Sequence, residues 1–173
     1  MGSEGSMDQQ NGEAITVVPL NEEDLEQILI IERLSFLHPW SKYAFRQELR
    51  NRFSRLFGIR VPEDDKNALA GYLCMWLVKD EGHITNIAIH PRFRRQGLAR
   101  RLLYFAREQA LRGGAEQLIL EVRRSNLAAI DFYQKEGFQA IGVRKGYYYE
   151  DGEDALIMSL RLDSNFSQVK KVG

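Results

Sequence analysis

The spacing of apolar residues switches between a period of two and a period near 3.6, and that alternation divides the chain into elements. Ile15–Pro19 is a short β-branched run and predicts a first strand. Asn21 followed by Glu22, Glu23 and Asp24 has the form of an N-cap with acids in the first turn. Leu25, Ile28 and Leu29 then form an apolar helical face, with the polar Glu32 at the same spacing. His38-Pro39-Trp40 ends that helix, and Ser41 can cap a second one running to about Arg50. Phe53–Val61 predicts a second strand, Pro62–Asn67 a charged turn, and Ala68–Val78 a buried third strand rich in Tyr, Trp and Val. Asp80-Glu81-Gly82 turns the chain into a fourth strand, His83–Ile89, completing a hairpin.

A strand–helix–strand unit follows. Leu98, Leu102, Ala106 and Ala110 share one helical face, Gly113-Gly114 stops the helix, and Gln117–Val122 is a fifth strand. Two parallel strands joined by a helix require a right-handed crossover, which sets the fifth strand beside or near the fourth. Asn126–Glu136 predicts another helix, stopped by Gly137. Phe138–Val143 and Ala155–Leu162 are the last two strands, with Tyr147, Tyr148 and Tyr149 in the loop between them.

Composition narrows the class. A chain of 173 residues with 44% hydrophobic content can bury a proper core and reads as one domain, residues 14–162. The expected tails are residues 1–13, disordered, and residues 163–173, flexible. Lys plus Arg and Asp plus Glu both number 24, so net charge gives no pull toward a polyanion. The single cysteine, Cys74, excludes an intramolecular disulfide and fits a reduced, cytoplasmic setting. No apolar run reaches membrane-span length, and the start has no apolar signal-peptide middle. Gly2 and Ser6 match the myristoylation pattern, a motif short enough to arise by chance. No cluster of His, Cys and acid has metal-ligand spacing, so no metal is expected.

The densest candidate chemistry lies at Arg94-Arg95-Gln96-Gly97-Leu98-Ala99, between the fourth strand and the long helix. Glycine lets the backbone approach a ligand, free amides at a helix start point at it, and arginines add charged donors. A phosphate or pyrophosphate is the natural guest. The nucleotide-triphosphate loop lacks its Gly-Lys-Ser/Thr ending, and the dinucleotide fingerprint lacks two of its three glycines. A surface helix start with solvated arginines is the plain alternative.

This turn resembles the Q/R-x-x-G-x-G/A loop of the GNAT family of N-acetyltransferases. Asn86-Ile87-Ala88-Ile89-His90-Pro91 resembles that family's fourth strand. Leu120-Glu121-Val122-Arg123-Arg124-Ser125-Asn126, Ala129-Ile130, Phe132-Tyr133 and Glu136-Gly137-Phe138 are similar to its ribosomal-protein-alanine acetyltransferases. So are His38-Pro39-Trp40-Ser41, Tyr147-Tyr148 and Glu153-Asp154-Ala155-Leu156-Ile157-Met158. The likeness spans Ile15 to Leu162. Ala99 stands where many members have glycine, and Tyr149-Glu150 where a proline often follows the tyrosine pair.

The resemblance implies an α/β (α+β) fold, a mixed central sheet flanked by helices and splayed between its fourth and fifth strands. It implies acetyl-coenzyme A as cosubstrate, with its arm along the backbone of Ile87, Ala88 and Ile89. The pyrophosphate would meet the amides of Arg95, Gln96, Gly97, Leu98, Ala99 and Arg100, with Asn126 beyond. It assigns Glu121 as general base, directly or through a water, and Tyr133 as general acid. His38, Trp40, Tyr147 and Tyr148 would wall the acceptor channel.

The residues offer plainer readings beside these. Glu121 alone reads as a strand-end acid paired with Arg123, although partial burial would raise its pKa toward a base's range. Tyr133 lies seven residues after Asn126, with Ile130 between them on nearly the same helical face, and otherwise reads as a core aromatic. His83 and His90 read as structural or solvated.

The implied acceptor is the N-terminal alanine of a small-subunit ribosomal protein, acetylated by direct attack in a ternary complex. An α-amine, with a pKa of about 8 against about 10.4 for lysine, is easier to deprotonate by about 3 kcal/mol. Other N-termini, lysines or a small amine are alternatives, as is a coenzyme A-binding module without turnover. Nucleic-acid binding through the arginine turn is disfavoured by the balanced charge and by a single aromatic, Phe93, among the arginines. No membrane partner is expected.

Overall fold

The computed structural model describes residues 14–63 and 66–163. The expected tails, apart from Asp163, and the Gly2–Ser6 motif lie outside the described residues. The elements run β1 Thr16–Pro19, α1 Leu25–Ser35, α2 Lys42–Arg50, β2 Ser54–Glu63, β3 Lys66–Val78, β4 Glu81–Ile89, α3 Leu98–Arg112, β5 Gln117–Arg123, α4 Leu127–Lys135, β6 Gln139–Tyr148 and β7 Glu153–Arg161. The strands form one seven-stranded sheet in the order β1-β2-β3-β4-β5-β7-β6. Among the described residues only β4 and β5 pair in parallel, the right place for the α3 crossover.

The caps follow from the side chains present. Asn21 Oδ1 accepts from the Glu23 amide at 2.8 Å, and Asp24 Oδ2 accepts from the Asn21 amide at 2.9 Å. Ser41 Oγ accepts from the Ala44 amide at 3.1 Å and starts α2.

The sheet separates two cores. On one face Leu98, Leu102, Leu103, Ala106 and Ala110 of α3, with Tyr133 of α4, pack on Leu118, Leu120 and Val122 of β5. On the other, Leu25, Ile28 and Leu29 of α1 and Phe45 of α2 pack on Leu56, Tyr72 and Cys74. Phe45 meets Tyr72 edge-on at 5.5 Å between ring centroids.

The central irregularity is in β4. Met75 pairs with Ile84 but Cys74 pairs with Asn86, so Thr85 is an extra residue, a β-bulge. The parallel pairing of β4 with β5 ends at the same point: it runs from Glu81↔Gln117 to Ile84↔Leu120 and stops. Beyond it β4 continues to Ile89 bonded only to β3, and β5 continues to Arg123 bonded only to β7. The expected splay between the fourth and fifth strands is therefore present.

Three boundaries differ from the sequence expectation. Tyr147 and Tyr148 belong to β6, not to a loop. β6 is an exposed edge strand whose residues carry no apolar alternation, so nothing in the pattern signals its extension. Glu81 and Gly82 open β4, and the reversal falls on Lys79-Asp80, with Lys79 at φ 53°. The charged turn after β2 shrinks, since β2 reaches Glu63 and β3 starts at Lys66.

Gly71 lets β3 and β4 approach closely at the open end. A Cβ there would lie 2.4 Å from Ile89 Cδ1 and 2.7 Å from the Ala88 carbonyl oxygen. The carbonyl is backbone and yields only if β4 moves. Gly71→Ala is expected to cost about 1–3 kcal/mol, the range for overpacking, as a lower midpoint in chemical denaturation.

Candidate active site

The parting strands open a cleft of about 480 Å³. Its walls are Ile87, Ala88 and Ile89 of β4, Gly97, Leu98, Ala99 and Arg100 at the start of α3, Asn126 and Phe132 at α4, and Ser35 and Phe36 at the end of α1. Phe93, Arg94 and Arg95 complete the rim. Of the expected cofactor residues only Gln96 is missing from this lining; it lies in the same turn with its side chain exposed.

The turn is shaped to leave donors free. Arg95 and Gly97 both take left-handed backbone conformations, φ 61° and 73°. Arginine there is strained, whereas glycine adopts it freely. The Arg101 amide bonds the Gly97 carbonyl at 3.2 Å, so the amides of Leu98, Ala99 and Arg100 precede the helical ladder. Those amides and the positive end of the α3 dipole make an anion cradle. Arg94 braces the rim, its Nε donating to the Ile89 carbonyl at 3.0 Å and its Nη2 to Ser35 Oγ at 3.3 Å. Arg100 Nε is held by Glu136 Oε1 at 2.6 Å. Asn126 caps α4 by accepting from the Ala129 amide at 3.2 Å.

Glu121 stands one residue past the last β4–β5 pair, with its side chain only 6% exposed. His83, paired in register with Ile119, shares its sheet face and sets Nε2 2.6 Å from Glu121 Oε2. Arg144 of β6 sets Nε 3.1 Å from Oε1. The plain alternative, a pairing of Glu121 with Arg123, is not formed; Arg123 bonds Asp151 at 2.8 Å and Glu153 at 3.0 Å instead. The expected upward pKa shift is overturned as well. Burial does push the Glu121 carboxyl up, but His83 and Arg144 together outweigh it and hold the group below its ordinary value.

His83 and Arg144 are the site residues that sequence reasoning missed. Only the β4–β5 register and the unpredicted length of β6 bring them to Glu121. The ring of His83 also lies 6.4 Å from that of Trp76, whose Nε1 donates to Glu48 Oε2 of α2 at 2.7 Å. His90 has a local job, accepting from the Arg92 amide at 3.1 Å.

Tyr133 is buried beside Phe132 and Phe138, with centroids at 5.2 and 5.6 Å. Burial first, and Tyr148 second, push its phenol well up. A phenol so shifted is always protonated near neutral pH and available as a donor. Tyr147 and Tyr148 meet edge-on at 5.1 Å, and the Arg123 guanidinium lies 3.9 Å from the Tyr148 ring centroid. Tyr147 borders Glu121, whose charge helps burial raise its phenol. Trp40 packs on Phe45 at 5.4 Å, and His38 is exposed on the same α1–α2 turn. The structure thus joins Tyr147 and Tyr148 to the acid, and His38 and Trp40 to the α1–α2 rim.

The glycine turn opens on the cleft at the splay; Glu121 and Tyr133 are not among its walls and belong to opposite faces of the sheet. Comparison with known proteins gives the class. Residues 25–138 match the Acetyltransferase (GNAT) family, and the chain belongs to that family: it is an N-acetyltransferase. It is 44% identical over 137 residues, 79% of this chain and 88% of the relative, to a Bacillus subtilis protein provisionally named a ribosomal protein bS18-alanine N-acetyltransferase. It is 36% identical over 147 residues, 84% and 96% of the two chains, to the Escherichia coli K12 protein bearing that enzyme name. The crystal structure of the Escherichia coli ribosomal-protein-alanine N-acetyltransferase superposes with a TM-score of 0.76 at 34% identity, covering 87% of this chain and 95% of that one.

Because Glu121 titrates low in the folded state, its pairing stabilises the fold above the unfolded-state pKa and loses that contribution as pH falls through the folded value. Replacing His83 and Arg144 together by Ala keeps the β5 and β7 cover but removes both partners of the carboxylate. The Glu121 pKa, followed by carboxyl-carbon NMR titration, is then expected to rise above its ordinary value, leaving burial as the dominant influence.

Proposed function

We propose that this protein transfers acetyl from acetyl-coenzyme A to the α-amine of an N-terminal alanine, with ribosomal protein bS18 as acceptor. The observation that carries the reading is Glu121 at the mouth of the splay, on the face opposite α3. The two ribosomal-protein acetyltransferases named above support the acceptor, and a ribosomal acceptor implies action in the cytoplasm.

In this reading acetyl-coenzyme A is a substrate, and the residues present fit it. The free amides of 98–100 and Arg95 suit a pyrophosphate. The β4 edge at Ile87, Ala88 and Ile89 that faces away from β3 suits an amide-bearing arm that adds to β4 as a strand would, with the Ile89 carbonyl already held by Arg94. Asn126 lies at the far wall. A free amide of that edge also suits the carbonyl oxygen as negative charge develops on it.

The amine nitrogen attacks the thioester carbonyl carbon, the carbon–sulfur bond breaks, and the amide forms. The proton lost by nitrogen passes to Glu121. Tyr133 donates its phenolic proton to the leaving thiolate. The aromatic rings of Trp40, Tyr147 and Tyr148, with His38, flank the acceptor chain. A carboxylate held low is a weak base and suits an amine that is partly neutral before it binds.

Turnover of an Ala-starting peptide is expected to fall about 10²–10⁴-fold in Glu121→Gln, the range for loss of a general base. Tyr133→Phe should fall in the same direction, while calorimetric binding of acetyl-coenzyme A stays unchanged in both. Wild-type turnover in both variants sinks the two roles. Cofactor binding with no thioester loss in the unaltered protein, across peptides and amines, sinks the activity itself and favours a binding module. Mass spectrometry of cellular N-termini with and without the protein tests the acceptor.

A further inference from the structure

Glu32 is fully buried, and neither the acid–base pair nor the anion cradle uses it. It stands on the third turn of α1 and faces the sheet. Its carboxylate accepts from three elements at once. The Trp40 amide, on the α1–α2 turn, donates to Oε1 at 2.8 Å. The Tyr72 hydroxyl of β3 donates to Oε2. The Asn86 amide nitrogen lies 3.4 and 3.3 Å from the two oxygens and 2.8 Å from the Tyr72 hydroxyl. All of these donors are neutral.

A helical position that continues the Leu25, Ile28 and Leu29 face would hold an apolar residue if packing were its only task. A buried carboxylate without a cation is costly, and burial accordingly raises its pKa. Its partners are the informative part. Asn86 follows the Thr85 bulge and immediately precedes Ile87, Ala88 and Ile89, the open edge of the cleft. Trp40 closes the turn that leaves the cleft rim at Phe36. His83, three residues before Asn86, reaches Glu121 on the same α1–α2 face of the sheet. One carboxylate therefore fixes the α1–α2 turn against the strand that carries the reacting end of the site.

We infer that Glu32 is a positioning residue for the acceptor: it holds the Trp40 turn at a set distance from the β4 edge, so that the acceptor chain enters in register with Glu121. It touches neither substrate. Gln in its place is isosteric but neutral, and its single oxygen replaces two acceptors that now serve the Trp40 amide, the Tyr72 hydroxyl and the Asn86 amide nitrogen. The ties to the turn and to β4 are then not all kept, while the packing volume stays. The inference rests on the acyl-transfer reading above.

The test is steady-state kinetics of the full chain with acetyl-coenzyme A and an Ala-starting peptide. Glu32→Gln is expected to raise the peptide KM about tenfold, with kcat and the calorimetric Kd for coenzyme A each within about twofold of the unaltered protein. Tyr72→Phe, which leaves the Trp40 bond in place, should raise the peptide KM less. If Glu32→Gln proves too unstable to assay, the double change Glu32→Met with Tyr72→Phe replaces both groups by apolar ones of similar shape, and its peptide KM should again be about tenfold raised. A peptide KM at the unaltered value in a folded variant of either kind overturns the inference. So does a loss confined to kcat or to coenzyme A binding. An unaltered protein that turns over no acceptor overturns the acyl-transfer reading instead, and this inference with it.

Discussion

The structure depends on where the β4–β5 ladder stops. Four pairs hold the strands together, and the Thr85 bulge then turns β4 away from β5. Backbone groups past that point that face away from β3 border the cleft. The same divergence brings two helix starts to one place, because α3 follows the end of β4 and α4 follows the end of β5. Ligands of α/β sheets gather at the carboxyl ends of strands for this reason. The anion cradle and Asn126 thus sit beside the gap through chain connectivity, not through separate devices.

The sheet also divides the work by face. The α3 and α4 side supplies the packed support of the helix that carries the cradle. The α1 and α2 side supplies Glu121, His83, Trp76 and the Glu32 network. The bulge contributes to this as well: it resets the alternation of β4, so His83 before it and Asn86 after it lie on the same face. An undisturbed strand would place those two on opposite faces.

Most of this was legible in the sequence wherever one face of an element is buried. The Leu98 to Ala110 stripe, the Ala68–Val78 run and the caps at Asn21 and Ser41 were visible because burial imposes a period. The arginine and glycine turn by itself left an anion site and a plain solvated helix start both open; the rest of the cleft's lining, Ile87, Ala88, Ile89 and Asn126, came from the family resemblance. What escaped depends on contacts between distant strands. β6 is exposed on both sides along most of its length, so its extension through Tyr148 has no pattern to betray it. The partners of Glu121 come from β4 and β6, and no local spacing announces either. Glu32 was visible as a polar residue at an apolar spacing, but its donors lie on the α1–α2 turn, β3 and β4.

The charge state of Glu121 bears on which amine this site can use. Burial alone would make the carboxyl a stronger base; His83 and Arg144 reverse that. A weak base cannot compensate for a strongly basic amine. Removing a proton from a lysine costs about 3 kcal/mol more than from an α-amine at the same pH. A site with a strong base could absorb that difference, but one with a depressed carboxylate leaves it in the barrier. If Glu121 is the base proposed above, its pairing with His83 and Arg144 favours amines that are partly neutral before they bind, and an N-terminus is the protein amine that meets that condition.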